Sequence, residues 1–174
     1  MVVLKDLING IQYLYLNTTK KAEFRPEEPY WWVLPDNKTI LALFRDNSKS
    51  GFLYRATSID NGRTWTKPVK TNFPDATSKF SGVRLKDGRY ILVSNPNPKK
   101  RDPMTISVSD DGITFNKMVY LDGGRGIDYP HVMVHEGYLY IAYASAKQTV
   151  EIMRVSIEEL DKVQMPSNPI TVNP

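Results

Sequence analysis

The stretch Ser58-Ile59-Asp60-Asn61-Gly62-Arg63-Thr64-Trp65 decides the fold. It reads S-x-D-x-G-x-T-W, and each fixed letter has a physical task. Gly62 can take the positive φ of a tight hairpin connection, which a β-carbon penalises. Asp60 is a short acceptor able to fold back onto the N–H groups of its own turn. Trp65 brings a large ring to pack beneath that turn, at the start of a following strand. The pattern speaks of architecture and leaves the chemistry to other residues.

Working outward, the pattern returns fifty residues on, with Gly112 for Gly62, in Val108-Ser109-Asp110-Asp111-Gly112-Ile113-Thr114-Phe115. Read in that register, Asp110 stands for Asp60, Val108 for Ser58 and Phe115 for Trp65, so the second copy is degenerate. Val33-Leu34-Pro35-Asp36-Asn37 matches Arg84-Leu85-Lys86-Asp87-Gly88, and a third copy begins at Val134-His135-Glu136-Gly137. One repeat about every fifty residues, each with several short strands, is the signature of a β-propeller. The expected fold is all-β: a propeller fragment of about three four-stranded blades, over about 27–75, 76–125 and 126–163.

The strands follow from alternating apolar residues between turn signals. The first blade takes Tyr30–Leu34, Ile40–Phe44, Phe52–Ser58 and a fourth strand near Trp65. The second takes Phe80–Leu85, Tyr90–Ser94, Thr105–Val108 and Phe115–Leu121, and the third His131–Val134, Tyr138–Tyr143 and Val150–Val155. Residues 1–24 form an N-terminal segment whose Ile11–Leu16 reads as the outer strand of an incomplete blade. Ser156–Val163 reads as a short helix capped by Ser156, with Glu159 three residues on. Residues 164–174 are expected to be an irregular tail. A three-blade wedge bares its outer faces, assigned to Ile40, Ala42, Phe44, Val132, Ile141 and Tyr143. Association with a missing propeller half or a second copy is therefore expected.

Composition narrows the partners. With 41% hydrophobic residues the chain suits a folded protein, not a disordered one. The net charge of +4 is mild, and the densest basic run, Lys99-Lys100-Arg101, is too short to argue for nucleic acid. No cysteine is present, so disulfides and thiolate metal sites are excluded. Two histidines without clustered carboxylates give no metal site, and no cofactor is expected. No apolar run approaches the ~20 residues of a membrane span. Met1–Leu16 does not read as a signal peptide, which leaves the compartment open.

The boxes resemble the Asp-box of the sialidase (BNR repeat) superfamily, over residues 25–155. The resemblance implies a structural box (Ser58, Asp60, Gly62, Trp65, then Asp110, Gly112, Phe115) on the rim, away from the active site. In the C-terminal half of sialidases the functional order is Glu, Arg, Arg, Tyr on successive blades. Here the matching order is Glu28, Arg45 after Leu41-Ala42-Leu43-Phe44, Arg101 before Asp102-Pro103-Met104-Thr105-Ile106, and Tyr129 in Gly126-Ile127-Asp128-Tyr129-Pro130-His131. The resemblance thus implies Tyr129 as nucleophile with Glu28 as its base, and Arg45 and Arg101 as ligands of a substrate carboxylate. His131 is placed close enough to touch substrate.

The residue types suit that chemistry. A neutral phenol escapes the repulsion that an anionic nucleophile would meet beside a carboxylated sugar, and a carboxylate can activate it. Arginine forks bind a carboxylate in bidentate fashion. The chain departs from the family in having Pro130-His131 after Tyr129, and no acid/base Asp before Glu28. Phe24-Arg25-Pro26 also looks like a shortened F-R-I-P motif, which would make this the N-terminal half. The expected function is a partial sialidase-like retaining glycoside hydrolase, inactive or weak alone. The alternative is a non-catalytic carbohydrate- or protein-binding propeller, with Tyr30, Trp31, Trp32 and Phe80 as a stacking platform.

Overall fold

The structure is a computed structural model that describes residues 24–164, and the backbone of two strands before them. These two, β1 (Val2–Ile8) and β2 (Ile11–Leu16), pair antiparallel as a sheet of their own. Ile11–Leu16 is thus half of a hairpin, not a strand of any larger sheet. Of the tail expected at 164–174, all but Gln164 lies outside the described residues.

Eleven further strands build three antiparallel sheets. The first runs β3 (Pro26–Val33), β4 (Ile40–Asp46), β5 (Phe52–Ser58), β6 (Val69–Pro74). The second runs β7 (Ser81–Arg84), β8 (Tyr90–Ser94), β9 (Met104–Ser109), β10 (Phe115–Asp122), and the third β11 (Ile127–His135), β12 (Tyr138–Ser145), β13 (Thr149–Ser156). A short helix, α1 (Ile157–Lys162), follows, and its Glu159 N–H donates to the Ser156 hydroxyl at 3.3 Å. Each sheet is an up-and-down meander, and β7 lies against β3 on one side and β11 on the other. The inner strands therefore face one another, as in a propeller of three blades.

The second blade is sandwiched, and its sequence shows why. Along β8, Ile91 and Val93 join a core with Met104, Ile106, Val108 and the third blade's Ile127, Val132, Leu139, Ile141 and Tyr143. Tyr90 and Leu92 point the other way, into a core with Phe80 and the first blade's Trp32, Leu34, Leu41, Leu43 and Leu53. A strand buried on both faces reads as the unbroken apolar run Tyr90-Ile91-Leu92-Val93. Gly82 lets β7 approach β3: a β-carbon there would meet the Trp32 ring at 2.7 Å and Tyr30 at 3.0 Å.

Four expectations change. The first blade's fourth strand is Val69–Pro74, beyond Trp65, because Pro68 lacks the N–H that a ladder would use. Val132, Ile141 and Tyr143 turn inward against the second blade. The third sheet's free face instead carries Met133, Val150 and Ile152, exposed at 53%, 76% and 73%. Ala42 and Phe44 are buried and packed with Phe24, Tyr54 and Trp65. Trp32 and Phe80 are core residues and Tyr30 is half-buried, which leaves Trp31, 62% exposed, as the one exposed ring of the supposed platform.

The boxes join the third strand of a blade to the fourth. In the first, Thr64 donates to Asp60 through its N–H (2.8 Å) and hydroxyl (2.6 Å), and the Ser58 hydroxyl donates to the same carboxylate (2.9 Å). The Gly62 N–H donates to Ser58 Oγ, and the Trp65 indole N–H to the Gly62 carbonyl, both at 2.9 Å. Gly62 has φ +81°. These bonds, the Thr64 hydroxyl first, hold the Asp60 carboxyl down at about 2.

The second box uses the same scheme one residue along. Asp111, not Asp110, accepts from the Ile113 and Thr114 N–H groups at 2.8 and 2.7 Å, and from the Ser109 hydroxyl at 2.9 Å. The turn is one residue shorter between Asp and Gly, so the serine is Ser109, and the copy keeps the Ser, Asp, Gly and Thr of the first box with Phe115 for Trp65. Asp110 only accepts from Asn116 at 3.3 Å on the surface.

Candidate functional site

Register places the boxes and the candidate site at opposite ends of the blades. Ile40 pairs with Ser58 and Tyr90 with Ser109, so the boxes lie where β4 and β8 begin. Glu27 pairs with Arg45, at the end of β4. The loops holding Asp75–Lys79, Asn95–Pro103 and Lys147 fall at that same far end, after β6, β8 and β12.

There, at the entry to each inner strand, the backbone takes an uncommon conformation. Glu28 (φ 46°), Thr77 (φ 53°) and Tyr129 (φ 55°) take left-handed backbone at or just before the inner strands β3, β7 and β11. The pairing register shifts between Glu27 and Tyr30 and again between Asp128 and His131, which marks a bulge around Glu28 and another around Tyr129. A bulge re-aims the side chain it contains. Positive φ in a non-glycine costs on the order of 1–3 kcal/mol, and Pro29 and Pro130 restrict Glu28 and Tyr129 further. The matching bulges at Glu28 and Tyr129 in the first and third blades, with Thr77 in the loop before β7, mark these residues as functional candidates.

Two arginines hold the bulges. Arg45 donates to Glu28 at 2.6 Å, with Glu27 at 3.7 Å, and its side chain is only 11% exposed. Arg101 donates to the buried Asp128 at 2.5 Å and to the Thr77 carbonyl at 3.0 Å. Burial works against the Arg101 charge, but the bond to Asp128 outweighs it and leaves the guanidinium pKa raised. The Arg101 guanidinium lies 6.0 Å from the centre of the Tyr129 ring, and the Lys147 ammonium 5.9 Å from it. Lys79 donates to the Pro130 carbonyl at 3.1 Å.

The geometry thus gathers Arg101 and Tyr129 in one group and Glu28 with Arg45 in another, at one end of neighbouring blades. Among the described residues no hydrogen bond joins Glu28 to Tyr129. His131 is exposed on the third sheet's free face, and among the described residues its side chain has no hydrogen-bond partner. Asp128 was legible as the neighbour of Tyr129. Asp75, Thr77 and Lys147 were not singled out, because nothing in their local sequence signals their place in the fold.

Asp75 is the least expected of these. It is 1% exposed, and its Oδ1 is buried without a hydrogen-bond partner, as is Arg45 Nε. Desolvation pushes its carboxyl up to about 6, against backbone N–H groups of Ser78 and Thr77 and the charges of Arg45 and Arg101.

Comparison with known proteins bears on the fold and the family. No curated protein matches the chain significantly. Among solved structures it is similar to the NanB sialidase of Streptococcus pneumoniae, with 17% identity, TM-score 0.70, 91% of this chain and 27% of that one. It is also similar to the intramolecular trans-sialidase of Ruminococcus gnavus (16%, TM-score 0.70, covering 90% and 37%) and to a Hadza microbial sialidase (21%, TM-score 0.60, covering 70% and 26%). The chain therefore spans between about a quarter and two fifths of the length of these proteins. At such identities the likeness shows the propeller fold alone. The sequence profile of the BNR repeat-like domain matches residues 16–141, most of the chain, and by that match the chain belongs to the BNR repeat-like family.

Proposed function

We propose that the chain carries half of a sialidase-type glycoside hydrolase site, formed by Glu28, Arg45, Arg101 and Tyr129. The observation that supports this most is their convergence, on strained bulges and their arginine partners, at the blade end opposite the boxes. Arg45 and Arg101 present N–H forks to a sugar carboxylate. Tyr129 attacks the anomeric carbon, its phenolic proton passes to Glu28, and the aglycone leaves with its bonding electrons. Water then releases the sugar from the tyrosyl intermediate with retained configuration. The proton for the leaving group comes from outside these four residues, so the full site needs further blades, from elsewhere in the protein or a second copy.

The test is turnover of aryl glycosides of acidic sugars by the full protein, with NMR of the first-formed anomer. Tyr129→Phe should lower kcat roughly a hundredfold or more. Unchanged turnover, or an inverted product, overturns the nucleophile role. One observation favours a second reading. The Glu28 carboxylate is engaged by Arg45 and not by Tyr129, an arrangement that suits a non-catalytic binder of acidic glycans. Binding without turnover, in the presence of all blades, would select that reading.

A further inference from the structure

Asp75 is tied to Arg101 through a chain of hydrogen bonds and is too buried to touch a ligand. It follows β6, its N–H donates to the Gly51 carbonyl at 2.9 Å, and its Oδ2 accepts from the Ser78 N–H at 3.2 Å. That bond closes the turn in which Thr77 takes positive φ and offers its carbonyl to Arg101. The same turn is tied to the next loop, because the Ala76 N–H and the Ser78 hydroxyl both donate to Asn95. The Asn95 amide in turn donates to the Pro103 carbonyl, two residues beyond Arg101. Through that chain of bonds one buried carboxyl sets where Arg101 sits. Its other oxygen is unpartnered, and its charge is coupled to Arg45 as well as to Arg101.

We propose that Asp75 is a positioning residue that couples Arg45 and Arg101 into one anion-binding pair, so that both guanidinium groups respond to a single buried carboxyl. With 1% exposure it cannot reach substrate, which separates it from the catalytic groups. When Asp75 is ionised, it holds the turn whose Thr77 carbonyl binds Arg101, and its charge offsets part of the positive charge of both arginines. When it is protonated, that offset is lost and the arginines present more net positive charge to a ligand carboxylate. The charged groups around it are Arg45, itself held by Glu27 and Glu28, and Arg101, held by Asp128 and lying near Tyr129. Lys79, nearby on the same loop, is occupied by the Pro130 carbonyl. The proposal rests on the site reading above only in naming the ligand as a carboxylate.

The experiment follows the side-chain Nε–H resonances of Arg45 and Arg101 in the 15N-labelled chain, together with the Asp75 carboxyl carbon, from pH 4.5 to 7.5. All three should move with one shared midpoint near pH 6, and Asp75→Asn should abolish the movement of both arginines. The asparagine amide oxygen can still accept from the Ser78 N–H, so the turn is retained. If that variant does not fold, the wild-type titration decides alone. Arginine resonances that stay still, or that move with a midpoint different from the Asp75 carbon, overturn the proposal. Calorimetry with N-acetylneuraminate on the same samples separates the two claims. Affinity should strengthen as pH falls through the shared midpoint, by roughly tenfold, and this dependence should vanish in Asp75→Asn. Coupled titration without binding supports the positioning role and overturns the acidic-sugar site. Binding without coupled titration does the reverse.

Discussion

At both ends of the blades the backbone passes through left-handed turns, and different residues occupy them. In the boxes the positions that close the turn are Gly62 and Gly112, with φ of +81° and +75°. At the opposite end, the matching conformation falls to Glu28, Thr77 and Tyr129. Glycine takes such a conformation at no steric cost, whereas a residue with a β-carbon holds it only where the surroundings impose it. Within the boxes the one non-glycine in this conformation is Asn61 (φ 59°), of a type that tolerates it, so the boxes carry less strain than the bulges of the proposed site. The aspartates differ in the same sense. Asp60 accepts from N–H and hydroxyl donors with both oxygens, while Asp75 leaves one oxygen unpartnered in a dry setting. A satisfied carboxylate near a turn builds architecture, and a half-satisfied one buried beneath the loop that holds Arg101 is available for function.

The largest expected effect lies within the box end. A β-carbon on Gly112 would meet Trp32 Nε1 at 2.9 Å, Leu34 at 3.0 Å and Tyr90 at 3.2 Å, all in the core between the first two blades. The Trp32 indole also donates to the Gly112 carbonyl at 3.1 Å. On Gly62 the same carbon would meet only the Trp65 ring, at 3.8 Å. Gly112→Val combines backbone strain with overpacking and should cost about 3–5 kcal/mol. Gly62→Val has the strain alone and should cost about 1–3 kcal/mol. Denaturant midpoints of the two variants measure the difference. Equal losses would show that the second box is not held more tightly than the first.

Much of this was legible in the sequence because turn chemistry is local. Asp60, Gly62 and Thr64 declare their hydrogen bonds by spacing, and the fifty-residue repeat fixed the number of sheets. The second box was misread by one residue, since a shortened turn moves the working carboxylate from Asp110 to Asp111 without changing the composition. The third sheet's faces were misassigned for a different reason. Alternation in Tyr138–Ser145 separates two faces but does not say which one meets the neighbour, and both sides carry apolar residues. At the site, Glu28 and Arg45 could be joined because they lie on adjacent strands of one hairpin. Asp75 could not, because its importance comes from burial among loops at Gly51, Asn95 and Arg101, which meet only in the folded chain.

A smaller effect sharpens the electrostatic half of the comparison. Asp60 is depressed to about 2 from 3.8, so its contribution to stability is present above about pH 4 and is lost as pH falls toward 2. Asp75 is raised from 3.8 to about 6, so the folded state binds its proton more tightly than the unfolded chain. Its contribution is therefore fully present below about pH 4 and is lost as pH rises to 6. Stability measured against pH for wild type, Asp60→Asn and Asp75→Asn gives two difference curves, which should slope in opposite directions. Curves of the same sign would mean that the two carboxyls do not differ in the way their surroundings imply.

The smallest effect tests whether the strain at the inner strands is real. Thr77 is β-branched, the type least suited to φ of +53°. Its carbonyl, not its side chain, holds Arg101, and the carbonyl survives replacement by glycine. Thr77→Gly relieves on the order of 1–2 kcal/mol of backbone strain and adds about 0.5–1 kcal/mol of unfolded-chain entropy. The net should be a small stabilisation, about 0.5 kcal/mol, opposite in sign to Gly62→Val. Each substitution exchanges glycine and a β-branched residue at a left-handed position, at opposite ends of the blades, so their signs compare the ends. A loss of more than about 1 kcal/mol on Thr77→Gly would show that the threonine side chain is itself a structural contact. The left-handed position at the second blade would then be a packing feature, and the grouping of Thr77 with Glu28 and Tyr129 would fail.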